Sequence, residues 1–351
     1  MNFMKLHRFY SKKRVLVTGH NGFKGTWLSL MLKELSADMI GFSLNPPSKP
    51  NLYEAIKLGE TVPGAKGDIT KYKEIEGVIK EYDPEIILHL AARPILLNSY
   101  DSPLETYKTN TIGTINLLEA ARKSGSPKAI LNVTTDKVYE NKGKRKAYAE
   151  TDKLGGHDPY SSSKACSELV TQSYRESFFS GMGVGVATAR AGNVVGGGDW
   201  GEKRLVPDLV EAFAHKRKIA IRHPEAIRPW QYVLDVLSGY LILAEATYRK
   251  PGHYSGAYNF STSYTKTVGE LADSFIKAWG SGSVALGHPT KHEDQFLELD
   301  SSKARKELGW EPRTTFNEMV ERTTAWYKRY YSGQEVAKYS EKMVEDYLGS
   351  A

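Results

Sequence analysis

Tyr160 and Lys164 lie four residues apart in the segment DPYSSSKACSELV. If this segment is a helix, the spacing places a phenol and an ammonium group on the same face. A positive charge close to a phenol favours the phenolate and lowers its pKa from about 10 towards neutrality. Such a phenolate can remove the proton of a sugar or steroid hydroxyl. Tyr-x-x-x-Lys also occurs by chance on solvated helices, so the interpretation depends on the rest of the chain.

A glycine-rich turn near the N-terminus supports a catalytic interpretation. The segment RVLVTGHNGFKGTWLSLMLKEL predicts a buried strand over 14–18 and an amphipathic helix over 27–35, with Gly19, Gly22 and Gly25 between them. Glycines at such a turn let the backbone approach a pyrophosphate, which the N-terminus of the helix also attracts. The spacing Gly-x-x-Gly-x-x-Gly differs from the simpler Gly-x-Gly-x-x-Gly fingerprint and indicates a particular branch of nicotinamide-binding proteins. The alternative is an ordinary tight turn.

Composition restricts the class of protein. The 351 residues, 40% of them hydrophobic and 25% charged, suffice for one large domain or two closely joined ones. Cys166 is the single cysteine, which excludes an internal disulfide and fits a reducing cytoplasm. The leader MNFMKLHRFYSKK lacks the apolar core of a signal peptide, and no segment approaches the ~18 apolar residues of a membrane span.

The charge pattern indicates what kind of molecule the protein binds. The net charge of +7 comes from scattered basic residues without a nucleic-acid-binding motif, and an anionic small substrate accounts for it equally well. No group of His, Cys and carboxylate residues has metal-ligand spacing. We therefore expect a cytoplasmic protein that binds a small anionic substrate and neither nucleic acid, membrane nor metal.

Strand-like and helical patterns alternate along the first half of the chain. This alternation predicts an α/β fold with a doubly wound parallel sheet of the Rossmann type. The continuous apolar runs are typical of parallel strands that helices cover on both faces. The predicted strands are VLVTG, ADMIGFSL, EIILHLAA, KAILNVTT and VGVATARAGNV, and the helices lie near 22–36, 71–82, 104–124 and 160–180.

The predicted strand ends carry the candidate residues. Gly19 closes the run VLVTG, Ala91 and Ala92 end EIILHLAA, Thr135 ends KAILNVTT and Asn193 lies at the end of VGVATARAGNV. Because the carboxyl ends of parallel strands meet at one edge of the sheet, we expect the active site there.

The regular alternation weakens after about residue 192, which predicts a smaller α/β region that binds substrate. Helices are expected near 206–216, 232–249, 267–279 and 315–331, and a strand at AYNF. The resulting division is a dinucleotide-binding domain over 11–192 that also receives about 230–260, a substrate domain formed by 193–229 and 261–335, and peripheral extensions at 1–10 and 336–351.

Several motifs together resemble the extended short-chain dehydrogenase/reductase family over nearly the whole chain. They are TGHNGFKG, HLAA, YKTNTIGTINLLEA, VTTDKVYEN, the helix of Tyr160 and Lys164, and IRPWQYVLD. Within the family, the run Thr135-Asp136-Lys137 with GGGDW and IRPWQ is most similar to the CDP-glucose 4,6-dehydratase branch. The resemblance implies tightly held NAD, a nucleotide-sugar substrate and a homodimer formed by the helices near 104–124 and 160–180. It also implies 6-deoxy sugars for cell-surface polysaccharides.

The resemblance also assigns the cofactor site. Asp68 resembles a residue that contacts adenine, although a local cap is the alternative. The second strand ends GFSLNPP, without the acidic residue that usually holds the adenosine ribose in NAD enzymes. NAD over NADP therefore depends on the resemblance, with Ser43 and Asn45 as candidates for the ribose. The implied cofactor residues are Gly19, Gly22, Phe23, Gly25, Asp68, Ile69, Leu90, Ala91, Ala92, Tyr160 and Lys164.

The family chemistry gives each catalytic candidate a role. Tyr160 with Lys164 would remove the proton of the hydroxyl on carbon 4, and Thr135 would hydrogen-bond that oxygen. Asp136 and Lys137 would serve as acid and base for the loss of water across carbons 5 and 6. In related dTDP-glucose dehydratases the pair is Asp-Glu, so this chain departs from the pattern at Lys137.

A lysine base must be neutral, which requires its pKa to fall several units below ~10.4. Asp136 would conversely have to stay protonated, and a proton shared between the two side chains would satisfy both demands. The alternative is that Lys137 only neutralises Asp136 or a substrate phosphate. Which of the two is the base stays open.

The substrate-binding candidates are Asn110, Asn193, Arg204, Arg228 and His292. Arg204 and Arg228 suit a diphosphate because guanidinium groups match phosphate oxygens, although Arg204 could equally be surface charge. Asn110 resembles an active-site asparagine or is a local cap, and His292 with Glu293 belongs to a substrate loop or a solvated turn.

Two alternatives to the function that the resemblance implies remain. One is a dehydratase or epimerase of another nucleotide sugar, linked to GDP, UDP or dTDP. The other is a non-catalytic NAD-binding protein, which would not need Thr135, Tyr160 and Lys164.

Overall fold

A parallel sheet of seven strands forms the centre of the protein. The computed structural model describes residues 3–143, 146–221, 223–287 and 296–349. The sheet order is β3-β2-β1-β4-β5-β6-β7, and every neighbouring pair is parallel. This confirms the predicted doubly wound α/β fold. The strands are β1 (Arg14–Thr18), β2 (Asp38–Ser43), β3 (Gly64–Lys66), β4 (Ile86–His89), β5 (Ala129–Val133), β6 (Gly185–Arg190) and β7 (Gly256–Asn259).

Helices cover both faces of the sheet. Side chains of β1 alternate between two apolar cores, since Val15 and Val17 belong to one and Leu16 to the other. No helix in the described ranges has both the length and the apolar character of a bilayer span. The helices are Phe3–Tyr10, Phe23–Glu34, Leu52–Ala55, Tyr72–Tyr82, Leu96–Asp101, Pro103–Tyr107, Gly113–Ser124, Pro159–Tyr174, Leu205–Ala214, Val233–Arg249, Pro251–Tyr254, Val268–Trp279, Ser302–Leu308, Phe316–Tyr331 and Ala337–Gly349, with π-helical turns at Lys108–Ile112 and Arg175–Phe179 and 3₁₀ turns at Leu58–Glu60 and Asp136–Val138.

Short strand pairs build a smaller region beyond the carboxyl ends of β5 and β6. The helix Val233–Arg249 returns to the main sheet, where it packs on β5 and β6. Residues of this smaller region form one wall of a cavity described below. The pairs are Ala147–Tyr148 with Glu298–Leu299, Val194–Val195 with Gln231–Tyr232, Ile219–Ile221 with Val284–Leu286, and Ile227–Arg228 with Lys266–Thr267.

Both terminal segments, expected as peripheral extensions, instead pack into the main core. The hydroxyl of Tyr10 donates to the Leu241 carbonyl at 2.7 Å, and that of Tyr347 donates to Asp235 Oδ1 at 2.8 Å. Val344 and Leu348 are fully buried. The C-terminal helix covers the outer side of Phe23–Glu34, which explains why that helix is buried from Gly25 to Leu32 rather than amphipathic.

Candidate active site

A cavity of about 350 Å³ opens at the carboxyl edge of the sheet, within the size range of ligand sites. The strand order reverses between β1 and β4, and ligands of doubly wound sheets bind at such a switch point. The cavity wall brings together eight residues that the sequence singled out: Phe23, Thr135, Asp136, Lys137, Tyr160, Asn193, Arg204 and Arg228.

The glycine turn packs closely against the end of β4. Gly19 has a φ of +72°, and a Cβ built on it would lie 2.7 Å from the Ala91 nitrogen. A Cβ on Gly25 would lie 2.0 Å from the Gly19 carbonyl oxygen. Gly22 caps the helix that starts at Phe23 without a side-chain hydrogen bond, so the first amide groups of the helix keep their capacity to bind an anion. This cradle fits the pyrophosphate of a dinucleotide.

His20 is a residue of this turn that the sequence analysis missed. Its Nδ1 lies 2.7 Å from the hydroxyl of Ser43, and its ring fills the space above Gly41 and Gly64. Burial lowers the pKa of His20 to about 4, so the ring is neutral at pH 7. Ser43, a candidate for the adenosine ribose, is thus held by His20. A glycine inside a strand, here Gly41, indicates a close approach of another group and was the available signal.

The remaining cofactor candidates lie along the same edge. Leu90 and Ala91 follow β4, and the Ala91 amide donates to the hydroxyl of Thr18 at 3.2 Å. Asp68 Oδ1 accepts hydrogen bonds from the amide and the hydroxyl of Thr70, both at 2.9 Å, so this oxygen caps the local turn. Ile69 is buried beneath Gly113. The roles of Asp68, Ile69, Leu90, Ala91 and Ala92 in cofactor binding stay predictions.

Tyr160 and Lys164 lie in the helix Pro159–Tyr174, which Asp158 caps through the Ser161 amide at 2.9 Å. Both side chains are buried. Lys164 Nζ donates to the Val133 carbonyl at 2.9 Å, which anchors the helix to the end of β5. Burial lowers the pKa of Lys164 to about 7.

The pKa of Tyr160 moves in the direction opposite to the one predicted. Burial raises it to about 12, and a hydrogen bond with Thr135 and the charge of Arg204 only partly oppose this effect. The prediction counted the charge of the nearby lysine but not the cost of burying a phenolate.

The segment Thr135-Asp136-Lys137 turns sharply after β5. The Thr135 hydroxyl accepts a hydrogen bond from the Lys137 amide at 3.4 Å and donates one to Asp136 Oδ1 at 2.9 Å. Thr135 and Asp136 are buried, whereas Lys137 is partly exposed. The turn therefore presents a carboxylate and an ammonium to the cavity that Tyr160 also lines.

Lys24 is a second residue that the sequence analysis missed. It lines the cavity in the first turn of the helix Phe23–Glu34, where a positive charge opposes the helix dipole. Burial and the charge of Arg204 together lower its pKa to about 8, and Asp136 and Asp199 act in the opposite direction. The unfavourable placement of a lysine in that turn was the available signal.

The arginine and asparagine candidates have different surroundings. Arg204 Nη1 contacts both oxygens of Asp199, at 3.1 and 2.8 Å, on the cavity wall. Arg228 is buried and donates to the Ile227 carbonyl at 2.8 Å. Asn193 lines the cavity with a φ of +50° and accepts the Gln231 amide at 3.1 Å. Binding of a diphosphate stays a prediction for Arg204 and Arg228, and substrate binding stays a prediction for Asn193.

Asn110 is buried and is not part of the cavity wall. Its Oδ1 accepts the Arg93 amide at 2.8 Å, and its Nδ2 donates to the Ser163 hydroxyl at 2.9 Å. It thus ties the loop after β4 to the helix of Tyr160, which is not the local cap given as the alternative, and its substrate-binding role stays a prediction. His292 and Glu293 lie outside the described residues. In the described ranges no cluster of three His, Cys, Asp or Glu residues could hold a metal ion.

A glycine cradle at the switch point beside a buried Tyr-x-x-x-Lys pair defines the class of protein as a short-chain dehydrogenase/reductase of the extended type. The family model described as GDP-mannose 4,6 dehydratase matches residues 16–323. The chain belongs to the family of this model, and the extended short-chain dehydrogenase/reductase class that its motifs predicted is confirmed.

Relatives agree with this assignment. The CDP-glucose 4,6-dehydratase of Salmonella typhimurium is 41% identical, with 97% of this chain and 98% of the relative covered. The dTDP-glucose 4,6-dehydratase of Haemophilus influenzae is 27% identical, with coverage of 89% and 97%. Among solved structures, the dTDP-glucose 4,6-dehydratase of Bacillus anthracis in complex with NAD has a TM-score of 0.77 at 25% identity, covering 93% of this chain and 99% of that one. The UDP-glucose 4-epimerase of Thermotoga maritima with UDP-glucose has a TM-score of 0.79 at 24% identity, with coverage of 90% and 99%.

Proposed function

We propose that the protein is an NAD-dependent hydro-lyase that converts CDP-glucose to CDP-4-keto-6-deoxyglucose. The observation that carries the proposal is the placement of Thr135, Asp136, Lys137 and Tyr160 around one cavity. An epimerase needs a base for one proton, whereas loss of water also needs an acid and a base at the neighbouring carbons. The 41% identity to the Salmonella enzyme supports CDP-glucose as the substrate.

NAD is the cofactor of this proposal. The glycine cradle of Gly19, Gly22 and Gly25 would hold the pyrophosphate, and β4 with its following loop would hold the rest of the dinucleotide. When bound, NAD supplies a positive charge beside Tyr160, the acceptor for hydride from carbon 4 and later the donor of hydride to carbon 6.

Tyr160 takes the proton of the hydroxyl on carbon 4. The hydrogen bond with Thr135 and the charge of Arg204 both favour its phenolate, against the cost of burial. Lys164 holds the helix in place through the Val133 carbonyl.

Asp136 and Lys137 act on the resulting ketone. The carbonyl at carbon 4 acidifies the proton on carbon 5, so one member of the pair removes this proton while the other protonates the departing hydroxyl of carbon 6. Water leaves, and the proton returns to carbon 5 as carbon 6 is reduced. The substrate thus loses one water without a net change of oxidation state.

The test is to incubate the purified protein separately with CDP-glucose, dTDP-glucose, UDP-glucose and GDP-mannose. We expect loss of one water from CDP-glucose alone, measured by mass and by the alkaline absorbance of the 4-keto product. Tyr160→Phe is the control, since it keeps the fold and removes the base. Product from another sugar would establish a different dehydratase, and bound NAD without any product would favour the non-catalytic alternative.

The proposal includes a homodimer in the cytoplasm, where the product enters deoxysugar and surface-polysaccharide synthesis. Leu104, Ile112, Leu169 and Phe178 expose 64%, 46%, 54% and 42% of their surface. They belong to neighbouring helical segments, and exposed apolar residues there suit a two-fold interface. Light scattering is expected to give twice the chain mass, and Leu169→Lys is expected to reduce it to one chain. A monomeric wild type would refute the homodimer.

A further inference from the structure

We propose that Gly192 and Gln231 are positioning residues for Asp136, and that Gly192 is glycine because the carboxylate of Asp136 occupies the space of a side chain. The inference rests on the proposed dehydration, in which Asp136 is one of the two groups that act at carbons 5 and 6. It assigns a role to the segments AGN and RPWQ.

The contact between Gly192 and Asp136 is specific. A Cβ built on Gly192 would lie 1.8 Å from Asp136 Oδ2, 2.1 Å from Cγ and 2.5 Å from Oδ1. These are the three atoms nearest to that position, so the carboxylate alone accounts for the closest contacts. Gly192 is not one of the described glycines with a positive φ, so its backbone conformation accepts an alanine. The need for glycine therefore comes from the carboxylate and not from the turn.

The carboxylate is also held on its other side. The Thr135 hydroxyl donates to Oδ1 at 2.9 Å. Oδ2 is the atom nearest to the position that a Cβ on Gly192 would occupy. Asp136 is 3% exposed and lines the cavity, so Thr135 and the backbone of Gly192 set the position of its carboxylate there. Displacing the carboxylate by one methyl group would separate it from Thr135 or move it within the cavity.

Gln231 fixes the peptide of Gly192. Its Nε2 donates to the Gly192 carbonyl at 2.8 Å, and its own amide donates to the Asn193 carbonyl at 3.1 Å. Gln231 is 1% exposed and belongs to the short parallel pair with Val194. The strand end that bounds the carboxylate is thus bonded at two successive carbonyls. A support of this kind sets the position of a catalytic group that must lie within a fraction of an ångström of its target.

The test measures the rate of oxidation and the rate of elimination separately in the variant Gly192→Ala. Rapid mixing with CDP-glucose follows the absorbance of reduced nicotinamide, and quenched samples measure the dehydrated sugar. We expect bound NAD and the rate of oxidation to match the wild type, and the elimination to slow by about 100-fold, so that reduced nicotinamide accumulates. Gly77→Ala is the control, because its added methyl group meets nothing within 4 Å.

A double-mutant cycle tests whether Gly192 acts through Asp136. In an Asp136→Asn background, Gly192→Ala is expected to cause no additional loss. Gln231→Met, which keeps the side-chain volume and removes the donor, is expected to slow the elimination by about 10-fold, and it provides the test if Gly192→Ala does not fold.

Two results would refute this inference alone. One is an equal decrease in the rates of oxidation and elimination in Gly192→Ala. The other is a decrease in the elimination rate in the Asp136→Asn background as large as the decrease that Gly192→Ala causes in the wild type. A wild type that dehydrates none of the four sugars would instead refute the proposed function and this inference together.

Discussion

The hydroxyl of Thr135 donates a hydrogen bond to Oδ1 of Asp136 across 2.9 Å. The same hydroxyl lowers the pKa of Tyr160, because its single proton can be donated to the phenolate in place of Asp136. A single hydroxyl thus connects Tyr160, which we propose acts on carbon 4, with Asp136, which we propose acts at carbons 5 and 6. The family resemblance implied a hydrogen bond from Thr135 only to the oxygen on carbon 4.

Replacing Thr135 with valine removes this connection and keeps the shape of the side chain. We expect both the oxidation and the elimination to slow by about 10- to 100-fold, since both Tyr160 and Asp136 lose a partner. Single-turnover measurements of reduced nicotinamide and of the dehydrated sugar give the two rates. Thr135→Ser keeps the hydroxyl and is expected to retain at least a tenth of each rate. A loss confined to one step would show that the hydroxyl serves only one of the two residues.

Lys137→Met tests the residue at which the chain departs from the Asp-Glu pattern. We expect the variant to keep its bound NAD and to oxidise carbon 4, because the glycine cradle follows β1 whereas Lys137 lies in the turn after β5. The elimination is then expected to stall, since the pair loses one of its two exchangeable protons. Reduced nicotinamide would accumulate during a single turnover and no water would be lost. Wild-type elimination in this variant would favour the alternative that Lys137 only balances charge.

The sheet and the position of the site could be predicted because their signals are local in the sequence. β1, β4 and β5 are continuous apolar runs, and the candidate residues follow them directly. β3 was missed because its three residues carry no apolar run and are partly exposed. The terminal helices were missed for another reason. Their apolar residues recur at helical spacing, but this pattern was not taken as a sign that the helices are buried. Leu6, Phe9 and Tyr10 show it clearly.

The environment of each site residue depends on contacts that the sequence does not show. Lys164 finds the Val133 carbonyl 31 residues away, and His20 fills a gap between Gly41 and Gly64. The pKa of Tyr160 depends on how deeply the phenol is buried, which spacing along a helix cannot give. Motifs therefore predicted which residues would share a cavity, whereas the electrostatics of those residues required the fold.

The ion pair of Arg190 and Glu168 is expected to hold the catalytic helix on the sheet. Both side chains are at most 4% exposed and form two parallel contacts at 2.9 Å. Glu168→Ala leaves the guanidinium buried without its partner, so we expect a loss of about 3–5 kcal/mol in the free energy of unfolding. Urea denaturation measures it. Glu176→Ala is the control, because the Glu176 side chain is 59% exposed in its pair with Arg175 and is expected to cost less than about 1 kcal/mol.

His20 is expected to make the folded state sensitive to acid. Its pKa is about 4 in the folded protein and 6.5 without burial, so between these values the unfolded chain binds one more proton. The stability that neutral His20 contributes is thus complete above pH 6.5 and is lost as the pH falls through 4. Its share of the slope is at most about 1.4 kcal/mol per pH unit.

His20→Asn removes this share and keeps a polar group near the Ser43 hydroxyl. Urea denaturation at intervals from pH 4 to 7 is expected to show a flatter dependence than in the wild type. Part of the slope remains, since burial also lowers the pKa of His89 to about 3. His253→Asn is the matched control, because water reaches this ring in the folded protein and the wild-type slope is expected to persist. If His20→Asn kept the wild-type pH dependence of the free energy of unfolding, protonation of His20 would not destabilise the folded protein.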